Sequence, residues 1–187
     1  MTFINKLYSS HMAKFVLVLL VFLLAWFMGI VPVSAQNLDL GKSVYKTKVQ
    51  CSQCHGWAGN GHKEAPRAPT GADLRETVMD AEALFTAVQC GIPGTPMPAF
   101  DNFAYKDDRC YGMTAKEMGD MKPPAGSPKL IKREMNALVA YLLASVVGRG
   151  DPTEEECVDF FGLDNNRCVN FANNGGAADG AADDSGH

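Results

Sequence analysis

Cys51-Ser52-Gln53-Cys54-His55 constrains this 187-residue chain more than any other feature. Two thiols three residues apart can add across the two vinyl groups of a porphyrin, and the imidazole directly behind them is then delivered to one axial face of the iron. This is the attachment pattern of c-type haem. A C-x-x-C pair can also be a thioredoxin-like redox couple, but those belong to a βαβ context absent from this sequence. The other reading is half of a zinc site, and no second cluster with metal-ligand spacing follows. A haem in the centre supplies apolar core that so short a polypeptide would otherwise have to provide.

The N-terminus points to export, which is where haem attachment takes place. Lys6 and Lys14 precede an apolar run from Phe15 to Val31, no acidic residue occurs before Asp39, and Pro32-Val33-Ser34-Ala35-Gln36 offers small residues where a signal peptidase reads. As a helix the run spans about 26 Å, just short of a ~30 Å hydrocarbon core. Residues 1–35 therefore read as a signal peptide cleaved after Ala35, with retention as an N-terminal membrane anchor as the alternative. Either way the functional domain is expected on the outer, periplasmic side of the inner membrane. Cleavage would take two lysines from the 17 basic residues and nothing from the 21 acidic ones, moving the formal charge from −4 to −6. That balance, with no basic cluster, argues against nucleic acid and favours partners presenting a positive surface.

Behind the motif, the pattern of caps and breakers is that of a helical domain. A first helix is expected over residues 37–50, capped by Asn37 or Asp39. A loop rich in Gly, Pro and Ala follows over 56–72. Asp80 should cap a helix ending at Cys90-Gly91, with Leu84, Phe85 and Val88 inward. Thr114-Ala115-Lys116-Glu117 is a capping box, and Pro123-Pro124 stops whatever it starts. Ser127-Pro128 reads as the start of the longest helix, with Ile131, Met135, Leu138, Val139, Leu142 and Val146 as its core stripe and Gly148 as its end. Thr153-Glu154-Glu155-Glu156 is a further capping box, with Gly162 as the stop. From Asn173 the composition is Asn, Gly, Ala, Asp and Ser, too polar to fold. The expected organisation is a haem-binding domain over 36–150 with an insertion at 101–128, a cysteine-bridged extension at 151–170 and a disordered tail at 171–187.

The haem motif, Gly59-Asn60-Gly61 and Gly91-Ile92-Pro93-Gly94-Thr95-Pro96-Met97-Pro98 together resemble class I cytochromes c. The similarity covers residues 38–100 and, more loosely, the helix at 129–147. It implies an all-α fold, a small helical domain wrapped around one haem c attached through Cys51 and Cys54. It implies His55 as the proximal ligand, its second ring nitrogen fixed by a proline carbonyl. Pro66 and Pro69 both qualify, and the Ala-Pro-Thr-Gly-Ala-Asp-Leu context points to Pro69. Met97, held between two prolines, is the expected distal ligand. The rival is His62, in a glycine-rich loop seven residues beyond His55, which would give bis-histidine iron.

Cys90, Cys110, Cys157 and Cys168 remain, and an oxidising compartment makes disulfides the first expectation, with reactive or metal-binding thiols as the alternative. Of three pairings, short separation favours Cys90–Cys110, which would clamp the methionine loop, and Cys157–Cys168, which would staple the extension. Tyr105, Asp107, Asp108, Arg109 and Tyr111 read either as an exposed polar insertion or as a docking surface.

With both axial positions filled by protein, the iron can only exchange electrons, so the expected function is electron transfer rather than catalysis. The expected partners are a dehydrogenase or membrane complex as donor and a cytochrome or terminal oxidase as acceptor. The methionine loop and second cysteine pair also look somewhat like cytochromes serving quinoprotein alcohol dehydrogenases. A permanently bound subunit of an oxidoreductase complex is the second expectation. A haem sensor or enzyme with an open distal site is the third.

Overall fold

In the computed structural model, residues 33–163, 165–169 and 171 are described. The apolar run at 15–31 and the polar stretch from Asn173 lie outside them. The described residues from Asn37 onward form one unit. Among the described residues there are seven α-helices and no β-strand. They are α1 (Val33–Ser43), α2 (Ser52–His55), α3 (Ala81–Cys90), α4 (Ala115–Met118), α5 (Lys132–Ser145), α6 (Glu154–Phe161) and α7 (Asn166–Val169). None of the described helices is long and apolar enough to cross a membrane.

Helix α1 begins four residues before the expected Asn37 and then widens into a π-helical turn over Val44–Lys48, with Val49 N donating to Val44 O at 3.1 Å. That turn buries Val44 and Tyr45 and ends the helix directly before Cys51. The chain closes on itself there, Cys51 N donating to Tyr45 O at 2.8 Å and the buried Tyr45 hydroxyl to Gly56 O at 2.6 Å. Tyr45 also stacks on Tyr141 of α5 with ring centroids 5.8 Å apart. Gly41 sits at the crossing of α1 and α5, where a Cβ would come within 2.1 Å of the Ala137 carbonyl oxygen. Only glycine allows that approach.

Helix α3 starts as its sequence demands, with Asp80 Oδ1 accepting from Ala83 N at 2.9 Å. It packs against α5, and Leu84 and Val88 share a core with Leu138 and Leu142. Leu138 is 1% exposed, and full burial of a side chain of that size contributes about 1.5–3 kcal/mol. The start of α5 departs from expectation. The helix begins at Lys132, with Ile131 N donating to Glu134 Oε2 at 3.1 Å. Ser127 and Pro128 lie in the preceding segment, and Ile131, expected in the core stripe, is 60% exposed. Backbone pairing competes with the helix here. Gly126 N donates to Ala99 O at 2.8 Å and Leu130 N to Phe100 O at 3.0 Å, which holds the segment extended beside the methionine loop.

The insertion is a folded part of the molecule. Tyr105 and Met118 are buried with Cys90, Ala99 and Cys110 in a second small core, while Asp108, Arg109 and Tyr111 are exposed, so of the five residues read as an exposed polar insertion or a docking surface Tyr105 alone is buried. The structure pairs Cys90 with Cys110 (S–S 2.05 Å) and Cys157 with Cys168 (S–S 2.10 Å). Thr153 and Glu156 bond reciprocally at the start of α6, each at 3.2 Å. The extension continues one residue past the expected boundary. Phe171 is buried, its ring 6.1 Å from Trp57, where Phe160 and Phe161 also stack at 5.9 and 5.7 Å.

Candidate haem-binding site

Three segments meet around a cavity of about 460 Å³: the turn carrying Cys51, Cys54 and His55, the return loop at residues 69–74, and the Pro-rich stretch holding Met97. The volume suits a cofactor-sized ligand. Leu84 and Val88 from α3, and Leu138 and Leu142 from α5, complete an apolar wall. Cys51, Cys54, His55, Pro69 and Met97 all line this one space. His62 is exposed and does not line it.

The two motif thiols are free, whereas the other four cysteines are paired. Burial pushes the Cys51 thiol up to about 12 and raises that of Cys54. A redox-active C-x-x-C pair works by the opposite shift, a lowered thiol. Among the described residues no group of three or more His, Cys, Asp or Glu side chains is placed to hold a metal ion.

His55 Nδ1 lies 2.8 Å from the carbonyl oxygen of Ala72. A carbonyl only accepts, so Nδ1 carries the proton and Nε2 keeps its lone pair, the state a metal-ligating imidazole requires. Burial lowers the His55 pKa, with the Ala72 bond working weakly against it, and so favours this neutral form. The acceptor is therefore Ala72 and not Pro69, which lines the cavity wall instead. The reason is local. Gly71 N donates to Cys54 O at 2.8 Å, which brings the loop so close that a Cβ on Gly71 would stand 2.6 Å from Nδ1. That contact presents the next carbonyl to the ring.

Met97 is half-buried, and its loop is braced by its own backbone. Met97 N donates to Thr95 Oγ1 at 3.2 Å, and Ile92 N donates to Met97 O at 3.3 Å. Free thiols, a tautomer-fixed imidazole, a thioether and an apolar cavity of this size together fit a haem. A second cavity, of about 440 Å³, lies beside Trp57, Arg75, Tyr141 and Glu156 and holds no thiol or imidazole. Arg75 there is fully engaged. It donates to Ala58 O at 3.2 Å, to Gly150 O, and to both carboxylate oxygens of Glu156 at 3.0 and 3.2 Å.

Two features of the site escaped the sequence. One is the Ala72 carbonyl, to which side-chain identity gives no clue. The other is the hold on the methionine loop by Tyr105 and Tyr111, whose hydroxyls donate to Cys90 O at 2.9 Å and Gly91 O at 2.7 Å.

Residues 36–115 match the family model described as cytochrome c oxidase, cbb3-type, subunit III. The matched span runs from α1 through the haem motif and Met97 to the first disulfide. Together with the helical architecture it gives the all-α cytochrome c fold, and it supports a class I c-type cytochrome, an electron-transfer haem protein with redox protein partners. No curated protein matches the chain, and no solved structure does.

Proposed function

We propose that the protein is an exported single-haem cytochrome, attached through Cys51 and Cys54, ligated by His55 and Met97, that carries single electrons between redox proteins. The observation that carries the reading is the meeting of two free thiols, a fixed imidazole and a thioether on one apolar cavity. Bound there, haem supplies a one-electron ferric–ferrous couple. The chain does the rest. Cys51 and Cys54 anchor, Ala72 orients His55, and Leu84, Val88, Leu138 and Leu142 exclude water. With His55 and Met97 both holding the group, the thioether would favour its ferrous state and the two side chains would leave no place for a substrate. The donor is read as a dehydrogenase or membrane complex and the acceptor as a cytochrome or terminal oxidase in the periplasm.

Replacing Met97 by Ala tests the ligation. The haem stays covalently attached, the sixth position opens to added ligands, and the potential falls by on the order of 0.1–0.3 V within the ~0.8 V that axial ligation spans. An unchanged spectrum and potential would sink the assignment.

The matched family's description favours a second reading, a permanently bound subunit of a membrane-associated oxidoreductase complex. The folded insertion and the extension would then be assembly contacts. Co-migration with larger subunits on a native gel of gently solubilised membranes supports this reading, and a freely soluble holoprotein supports the carrier.

A further inference from the structure

Two tyrosines flank Cys110 in the insertion, and both hold backbone that their residue type disfavours. Tyr105 has φ +62° and Tyr111 φ +57°, in the left-handed region. A bulky residue stays there only where its surroundings over-determine it, and such positions cluster at functional sites. What these two gain is visible. The Tyr105 hydroxyl, on a side chain 4% exposed, donates to Cys90 O at 2.9 Å, and the Tyr111 hydroxyl donates to Gly91 O at 2.7 Å. Those carbonyls belong to consecutive residues at the base of the methionine loop. From there Ile92 N reaches Met97 O, and Gly94 N reaches Met121 O at 2.8 Å on the far end of the insertion. The Cys90–Cys110 bridge ties the same two segments together through side chains, and the two hydroxyls bind the Cys90 and Gly91 carbonyls directly.

We propose that Tyr105 and Tyr111 are positioning residues for distal ligation, locking the base of the methionine loop so that the Met97 thioether stays on the iron. The inference rests on the reading of Met97 as distal ligand. Both hydroxyls bond to loop backbone, so their removal leaves attachment and ligand identity intact and changes how readily the thioether gives way.

The test is an imidazole titration of the ferric holoprotein for the parent, Tyr105→Phe, Tyr111→Phe and the double variant. Each lost hydroxyl should tighten imidazole binding about three- to tenfold, with a larger effect in the double variant and a lower reduction potential. Phe160→Leu, in α6 and away from the loop, controls for general destabilisation and should bind imidazole as the parent does. Tyrosine variants that match the parent, or shift no more than Phe160→Leu, would overturn the inference. Met97→Ala in the same titration separates the two claims. Strong binding there beside unresponsive tyrosine variants sinks only the positioning role. Binding no tighter than the parent's removes the methionine reading, and this inference with it.

Discussion

Asp101, 8% exposed, stands where α3 hands over to the insertion. Its Oδ1 accepts from Phe103 N at 2.6 Å, and its Oδ2 accepts from Gln89 at 2.8 Å and Arg109 at 3.4 Å. Burial works to raise this carboxyl, but the Phe103 amide, the Gln89 side chain and the Arg109 guanidinium outweigh it and hold it below the usual range. A depressed folded value means stability that is complete above the unfolded value, about 3.9, and is lost as pH falls through the folded one. Asp101→Asn should therefore cost about 1–2 kcal/mol at pH 7, and the gap from the parent should close in acid below about pH 4. Denaturant melts at pH 7 and pH 3 check this, and a gap of constant size would contradict it. Other single residues differ in how far their sequence announces them. Cys51, Cys54 and His55 are legible because the proposed haem attachment demands their spacing. Ala72 is not, because the group it contributes is a carbonyl that every residue has. Phe171 is hidden by the polar composition around it, although one aromatic ring suffices to reach Trp57.

At the scale of elements, local signals and tertiary ones part company. Asp80 and Thr153 mark the starts of α3 and α6 because an N-cap is satisfied within four residues. Ser127-Pro128 carries an equally good local signal and starts no helix. Its neighbours pair with Ala99 and Phe100, a partner that no sequence window can contain. The insertion follows the same logic, its small core assembled around Cys90–Cys110 across a separation of 20 residues. Closing a loop of that length constrains the unfolded chain by about 3 kcal/mol. Replacing both cysteines by serine should lower stability by about that amount and, with Met97 as the proposed distal ligand, make its thioether easier to displace. Thermal unfolding with imidazole titration reads both effects. Parent-like behaviour in both, or free thiols at these positions in a non-reducing peptide map, would remove the clamp.

At the scale of the whole chain, charge is the property that bears on partners. Its formal charge of −4 comes from 21 acidic against 17 basic residues. Electron exchange with a basic soluble redox protein should therefore slow as ionic strength rises, because screening shortens the reach of steering to about 8 Å at physiological salt. A stopped-flow salt series measures this, and a rate that climbs with salt would place the contact on a basic patch instead. The all-α architecture is legible from the motif and the helix periods together, since neither βαβ units nor alternating strands appear in the sequence. The extension is legible only in part. Its cysteines are visible, while the Arg75–Glu156 pair that ties α6 to the haem-motif loop joins residues 81 apart. The proposed ligation puts protein side chains on both faces of the iron, and the spectrum of the ferrous holoprotein before and after carbon monoxide checks it. A low-spin c-type spectrum that does not change is the expected result. A prompt shift would contradict it, and gas binding or catalysis at an open distal site would take its place.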